Sequence, residues 1–381
     1  MLQPPPLSLY VHIPWCVKKC PYCDFNSHAL KGGLPEAEYV DALLQDFDQE
    51  LAANRGLKDR KLQSIFFGGG TPSLMSAAGF DRLLTHLRQR IEFADSIEVT
   101  MEANPGTYEH DRFVGYRDVG INRLSLGVQS FQDDKLKALG RIHCADEAVA
   151  AIESLNDIGF ENYNIDLMHG LPEQTTADAL FDLDQAIALN PTHISWYQLT
   201  IEPNTVFYSK TPGLPVDEEL WSIQEQGWEQ LKQAGFLQYE ISAYSRQGRQ
   251  AAHNLNYWQF GDYIGIGAGA HGKLTDLQSG AICRNWKTRM PKDYLSAEKP
   301  FEAGSRLLGE EELPVEFLMN ALRLNQGVCE KVFTERTSLD LSVLQEGREQ
   351  AVRKGLLEPG DRLQPSPQGR LFLNDLLELF A

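Results

Sequence analysis

Cys16, Cys20 and Cys23 stand within eight residues in the segment HIPWCVKKCPYCDFN. The C-x-x-x-C-x-x-C spacing lets one short loop place three thiolates at three corners of a cubane iron–sulfur cluster. No fourth cysteine stands nearby, so this reading leaves one iron without a protein ligand. An open iron can bind a small molecule through nitrogen and oxygen, whereas a cluster meant only for electron transfer is usually closed by four protein ligands. Zinc is the competing reading. It prefers four ligands in paired C-x-x-C or Cys/His sets, and His12, the nearest candidate, sits in the apparent strand leading into the loop. Cys144, Cys283 and Cys329 are scattered singly, which argues against disulfides.

A second chemical segment is Gly68-Gly69-Gly70-Thr71-Pro72, directly after the apolar run Ile65-Phe66-Phe67. Residues without side chains let backbone groups approach a ligand closely and take up positive φ. The Lys-Ser/Thr that completes a phosphate-binding P-loop is missing, as is the G-x-G-x-x-G dinucleotide fingerprint. Alone, the segment reads equally well as a tight turn. Beside the cysteine loop it reads as a cradle for a small ligand.

With Tyr22 between its last two cysteines, the loop resembles the signature of the radical S-adenosylmethionine (SAM) superfamily. From about Leu7 to the C-terminus the chain resembles the branch that holds the oxygen-independent coproporphyrinogen oxidases and the HemW haem chaperones. The resemblance implies a [4Fe-4S] cluster whose open iron is chelated by the amino and carboxylate groups of SAM. It also implies that a cluster electron can cleave the sulfonium to a 5′-deoxyadenosyl radical. Carried over by position, Gly69, Gly70 and Thr71 cradle the methionyl amino group, and Glu102, Gln129, Arg141 and Asp166 contact SAM. Tyr10 and Tyr22 match positions near the adenosine and the cluster. The residue types suit such a ligand, with carboxylates for the ribose hydroxyls and ammonium, and a guanidinium for the carboxylate. Read singly, Glu102 or Asp166 could cap a turn and Arg141 could be a surface charge.

His253-Asn254-Leu255-Asn256-Tyr257-Trp258 matches the HNxxYW motif of the haem-chaperone branch. Histidine nitrogen commonly ligates haem iron, and aromatics with polar edges can pack on a macrocycle and still reach a propionate. As a bare hexapeptide, a hydrogen-bonded core histidine with packing neighbours is the commoner use. With the resemblance, His253 becomes the first candidate for an axial ligand, with Asn254, Tyr257 and Trp258 beside it. His271, in GAGAHG, is the second, although its glycines also suit close backbone packing or a bend.

Two departures bear on activity. The coproporphyrinogen oxidases resembling this chain carry one more cysteine two residues after the third, where Phe25 stands here, and a longer segment before the motif than the fifteen residues ahead of Cys16. The expectation is therefore a haem chaperone that passes haem to haem-requiring respiratory proteins at the membrane. Its cluster and SAM would act in support, by ordering a homodimer or gating transfer. The alternatives are decarboxylation of coproporphyrinogen III, or radical chemistry on an unrelated substrate.

The elements that must position these residues alternate as βα units. Apparent strands are Ser8–Ile13, Ser64–Phe67, Ile97–Met101, Arg123–Gly127, Asn162–Met168 and His193–Leu199. Between them lie helical stretches Ala37–Leu51, Ala78–Ile91, Ala145–Ile158 and Ala177–Ala188, with Glu218–Ala234 after the last strand. The cysteine loop, Gly68–Gly70, Glu102, Gln129 and Asp166 fall at the C-terminal ends of strands one to five, where parallel β/α folds gather ligands. The pattern predicts an α/β fold: a partial (β/α)6 TIM-like barrel over residues 1–240, as radical SAM relatives adopt. Doubly wound sheet is the alternative. A connecting region, 241–312, carries the HNxxYW segment and the glycine-rich stretch Gly261–Gly272. A small α+β, winged-helix-like domain at 313–381 reads as helices, a turn at Pro359–Asp361 and a last amphipathic helix, Gly369–Phe380.

With 381 residues, 42% hydrophobic and 23% charged, the composition is that of a globular protein. A formal net charge of −18 argues against nucleic acid as a partner. The first residues show no secretory signal pattern, and no apolar run is long enough to span a bilayer. With the reduced thiols a cluster needs, this predicts the cytoplasm and leaves peripheral contact with a membrane open.

Overall fold

The computed structural model describes residues 2–54, 56–107 and 110–381. Six strands, β1 (Leu7–Ile13), β2 (Lys61–Gly69), β3 (Glu92–Ala103), β4 (Arg123–Gln129), β5 (Tyr163–His169) and β6 (His193–Gln198), pair in parallel in that order. Five helices connect them: α1 (Glu36–Ala53), α2 (Ala77–Arg90), α3 (His110–Asp118), α4 (Ala145–Ile158) and α5 (Thr176–Ala188). A sixth, α6 (Asp217–Gln233), follows β6. Along the strands apolar residues alternate with polar ones, as in Leu7-Ser8-Leu9-Tyr10-Val11-His12-Ile13 of β1 and Tyr163-Asn164-Ile165-Asp166-Leu167 of β5, so one face packs apolar while the other carries polar groups. Each helix turns one stripe inward. In α1 that stripe includes Tyr39, Leu43, Phe47 and Leu51, close to the period of four that a helix face requires.

The chain then returns through β7 (Leu237–Glu240) and β8 (Ala243–Ser245), antiparallel strands that close one edge beyond β6. At the other edge β9 (Asp262–Ile266) joins β1 in parallel, and β10 (His271–Thr275), β11 (Ile282–Lys287) and β12 (Glu302–Leu307) follow antiparallel. The result is one open sheet of twelve strands, ordered β12-β11-β10-β9-β1-β2-β3-β4-β5-β6-β8-β7. The glycine-rich stretch is thus a seventh parallel strand and the return that follows it. Its glycines are there because backbones approach closely: a Cβ on Gly265 would lie 2.1 Å from the His271 carbonyl oxygen.

Two buried charge clusters fix this extension to the barrel. Lys287 of β11 reaches Asp46 and Glu50 of α1. Lys273 of β10 and Arg60 meet Asp262 at 3.0 and 2.8 Å. Buried charges persist when paired and hydrogen-bonded.

The C-terminal residues build a second apolar core around Phe317, Leu318, Phe333, Leu363 and Leu376, which also takes in Tyr239 and Phe260. The segment docks on β7, where the Asn325 amide donates to the Tyr239 carbonyl at 3.0 Å. The turn at Pro359–Asp361 is bracketed by a bridge between Leu357 and Pro365, while Arg362–Leu363 pairs antiparallel with Val328–Cys329. The single last helix expected from the sequence is two short ones, Pro367–Leu371 and Leu373–Glu378, broken at Phe372 with φ −115° and ψ 47°.

Candidate functional site

The cysteine loop leaves β1 and is closed by a two-residue parallel ladder, Trp15–Cys16 with His28–Ala29. Inside it, Lys19 Nζ donates to the carbonyls of Phe25 and Ser27 at 3.0 and 3.1 Å. Asn26 Nδ2 donates to the carbonyls of Ala268 and Arg289 at 2.9 and 2.8 Å, which ties the loop to the sheet extension. The loop's own hydrogen bonds therefore set its shape. Cys16, Cys20 and Cys23 are free, half-buried, and line one cavity of ≈370 Å³ at the C-terminal ends of the barrel strands. Burial pushes the Cys16 thiol up, so a metal would have to drive its deprotonation. Among the described residues no three His, Cys, Asp or Glu side chains converge on one metal-ion position. A cubane asks for one thiolate per iron and does not need such convergence.

Gly69 and Gly70 lie beside the loop because nothing larger fits. Gly69 has φ 113°, and a Cβ there would sit 2.4 Å from the His12 ring; at Gly70 it would sit 2.4 Å from the Trp15 carbonyl oxygen. The backbone amides of Gly70 and Thr71 donate to the carbonyls of Ile13 and Trp15, both at 2.7 Å. His12 is kept neutral by burial, with its pKa lowered to about 4. Its Nε2 faces the Asn26 carbonyl at 3.0 Å and must carry the proton, so Nδ1 accepts from the Tyr10 hydroxyl at 2.9 Å.

Glu102, near the end of β3, and Asp166, which the sequence placed at a strand end but which stands midway along β5, line the same cavity. The Gly69 amide donates to Glu102 Oε2 at 3.1 Å. Burial first, then Asp166, raise the Glu102 pKa to about 7. Asp166 accepts from Ser125 Oγ and Asn164 Nδ2, each at 2.8 Å, yet burial still holds its carboxyl above the usual range. Two largely buried carboxyls that make no ion pair among the described residues suit a cationic ligand. Gln129 sits at a bulge with φ 73°, a strained value for its type, and its Oε1 accepts from the Tyr197 hydroxyl at 2.8 Å. Arg141 donates to the Gly127 carbonyl and lies 3.7 Å from Cys20 Sγ through Nη1. Its Nε is buried without a partner among the described residues, a donor that a bound carboxylate would satisfy.

Of the SAM residues inferred above, Tyr22, Gly69, Gly70, Thr71, Glu102, Gln129, Arg141 and Asp166 line the cysteine cavity. Tyr10 does not. It lines a second cavity of ≈750 Å³ next door, and Phe25, Gly69, Glu102 and Trp258 are common to both.

The HNxxYW segment forms the short helix α7 (Ala252–Trp258), whose first amides, of Ala252 and His253, donate to Glu98, each at 3.0 Å. His253 and Tyr257 fall on one face, four residues apart. That face packs on β2: His253 Nδ1 meets Ser64 Oγ at 2.8 Å, Nε2 meets the Tyr257 hydroxyl at 2.9 Å, and the ring lies 5.1 Å from that of Phe66. His253 is 1% exposed, with both ring nitrogens engaged, and lines neither cavity. Asn254 lines the cysteine cavity, Tyr257 and His271 line the second, and Trp258 lines both. His271 is exposed. Sequence reasoning weighed His12 only as a zinc ligand and missed Asn26, Ser125, Asn164 and Tyr197, which with it hold the site, and Arg284, Trp286 and Arg289, which line the second cavity with His271. Strand parity carried the one available signal: His12 sits two residues from Tyr10, and Asn164 two from Asp166.

The family model described as the radical SAM superfamily matches residues 10–184, and that of the HemN C-terminal domain matches 308–372. The chain is 52% identical to the haem chaperone HemW of Haemophilus influenzae, over 99% of this chain and 98% of that one. It is also 52% identical to HemW of Escherichia coli, over 100% and 99%. Among solved structures, coproporphyrinogen III oxidase (HemN) of Escherichia coli, a radical SAM enzyme, superposes with a TM-score of 0.83 at 24% identity, covering 99% of this chain and 90% of that one. That likeness establishes the fold.

Proposed function

The chain belongs to the HemW family of the radical SAM superfamily, and from that premise we propose that it takes up haem and hands it to apoproteins. The observation that carries this reading is end-to-end similarity at 52% identity to proteins named haem chaperones, across both the barrel and the C-terminal segment. We place a [4Fe-4S] cluster on Cys16, Cys20 and Cys23, with SAM beside it in the cysteine cavity. When bound, the cluster supplies an open iron for the amino and carboxylate groups of SAM, and an electron.

The chain's own residues have distinct roles in this reading. Arg141 holds the SAM carboxylate through the donor that is otherwise unpaired. Glu102 and Asp166 face the ligand's positive charge and ribose hydroxyls. Gly69 and Gly70 let the ligand lie against backbone, and Tyr197 fixes the Gln129 amide. The recipients we propose are haem-requiring respiratory proteins at the membrane, met from the cytoplasm. Among the described residues no helix is long and apolar enough to cross a membrane.

The test has two arms. Purified protein is titrated with haem, and anaerobically reconstituted protein is incubated with SAM, reductant and coproporphyrinogen III. Stable haem uptake without decarboxylated product is expected. Efficient conversion to protoporphyrinogen would overturn the chaperone reading in favour of an oxidase.

A further inference from the structure

Strand register brings together residues that are far apart in sequence. His271 of β10 stands directly opposite Trp286 of β11, and the next pair on the same face is Lys273 with Arg284. Directly opposed side chains of an antiparallel pair lie about 5 Å apart at Cβ. A Cβ on Gly304 would come within 2.4 Å of the Trp286 ring, so the indole lies over bare backbone of β12. This face floors the ≈750 Å³ cavity, and Tyr257 and Trp258 line it from α7. The volume lies within the range of about 300–1,000 Å³ usual for ligand sites.

Lys273, Lys287 and Arg284 are committed to Asp262, to Asp46 and Glu50, and to Glu316, but other polar groups here are open. The His271 ring makes no hydrogen bond among the described residues, whereas His12, His143, His193 and His253 each have both ring nitrogens engaged. Arg289 makes no ion pair among the described residues and contacts Asn26 Oδ1 at 3.2 Å. Trp258 Nε1 and Arg284 Nε are buried donors without partners there. A flat, apolar, dianionic ligand with an iron that lacks a fifth ligand answers each of these: aromatic walls, the Arg289 guanidinium, free imidazole.

We propose that this cavity seats haem, with His271 as the axial ligand and Arg289 facing a propionate; the proposal rests on the haem-chaperone reading above. His253 then serves the fold by bonding α7 to β2. The macrocycle would lie against the cysteine cavity, separated from it by Phe25, Gly69, Glu102 and Trp258.

The test compares haem with metal-free protoporphyrin IX, which keeps the ring and propionates but cannot be ligated. His271 and Arg289 are exposed, so variants there fold. His271→Ala should weaken haem binding by about tenfold or more and change its Soret band, leaving protoporphyrin binding unchanged. Arg289→Glu should weaken both ligands several-fold. His253→Gln, which retains hydrogen-bonding groups, should keep the wild-type Soret band. If His271→Ala and Arg289→Glu bind both porphyrins as wild type does, this site is wrong while the chaperone reading stands. If the wild-type protein takes up no haem, the chaperone reading itself falls.

Discussion

The Gly69 amide donates to Glu102 Oε2 at 3.1 Å, so the glycine cradle and the first buried carboxyl form one unit. The bond favours the carboxylate, but burial and Asp166 outweigh it and leave the pKa at about 7. Between pH 4.5 and 7 the folded chain holds this proton and the unfolded chain does not, so this group's contribution to stability falls as pH rises through that window. Glu102→Gln removes the effect. By denaturant unfolding of ligand-free protein, the variant should gain about 3 kcal/mol on wild type between acid and mildly alkaline pH. Parallel pH profiles for the two proteins would refute it. A cationic ligand favours the ionised form, so SAM should bind the reconstituted wild type more tightly as pH rises through 7.

Replacing Cys16, Cys20 or Cys23 singly by alanine should abolish iron retention after anaerobic reconstitution while leaving far-ultraviolet circular dichroism unchanged, because the loop is held by Lys19 and Asn26. Alanine at Cys144, Cys283 or Cys329 should leave iron content as in wild type. These cysteines lie outside the cavity that Cys16, Cys20 and Cys23 line. Iron content indifferent to all six substitutions would remove the cluster from the account.

The cysteine loop, Glu102 and Gln129 were legible because each stands at or just past the end of a strand, and parallel strands bring their C-terminal ends to one place; Asp166 stands midway along β5 and reaches the same cavity from there. The strand β9 was not, because Gly261, Gly265 and Gly267 broke its pattern, and Gly265 and Gly267 answer contacts with the backbone of His271 and His12 that are invisible in sequence. His253 shows the same limit. Its spacing to Tyr257 was plain, but its other partner, Ser64, lies 189 residues away in β2. The pairing of His271 with Trp286 likewise depends on register, which no local motif records. The last helix was misread because its apolar period continues through Phe372, where the backbone leaves helical geometry.

Gly70 offers a steric test of the cradle. A methyl there would meet the Trp15 and Ile13 carbonyl oxygens at 2.4 and 2.9 Å, and both belong to strand and loop backbone that cannot swing aside. Gly70→Ala should cost about 2–4 kcal/mol and displace the cysteine loop, so that SAM binding is lost. Gly33→Ala has open space around it and serves as the neutral control, within about 0.5 kcal/mol of wild type. Equal stability of the two variants, by thermal or denaturant unfolding, would contradict the close approach.

Lys287 tests how the sheet extension is held to the barrel. It is buried between Asp46 and Glu50, and Tyr294 donates to Asp46 Oδ2 at 2.7 Å. Burial raises both carboxyls, and Lys287 is the charge that pulls them back. Lys287→Met keeps the apolar stem and removes the ammonium, leaving two carboxyls in a dry site. Breaking a buried pair this way costs about 3–5 kcal/mol near neutral pH. The sign of the pH dependence follows. Without the lysine both carboxyl pKa values rise further, so protonation on acidification relieves the penalty and the gap to wild type narrows toward pH 5. A penalty unchanged between about pH 8 and pH 5 would mean that lost packing, not stranded charge, is what the substitution exposes.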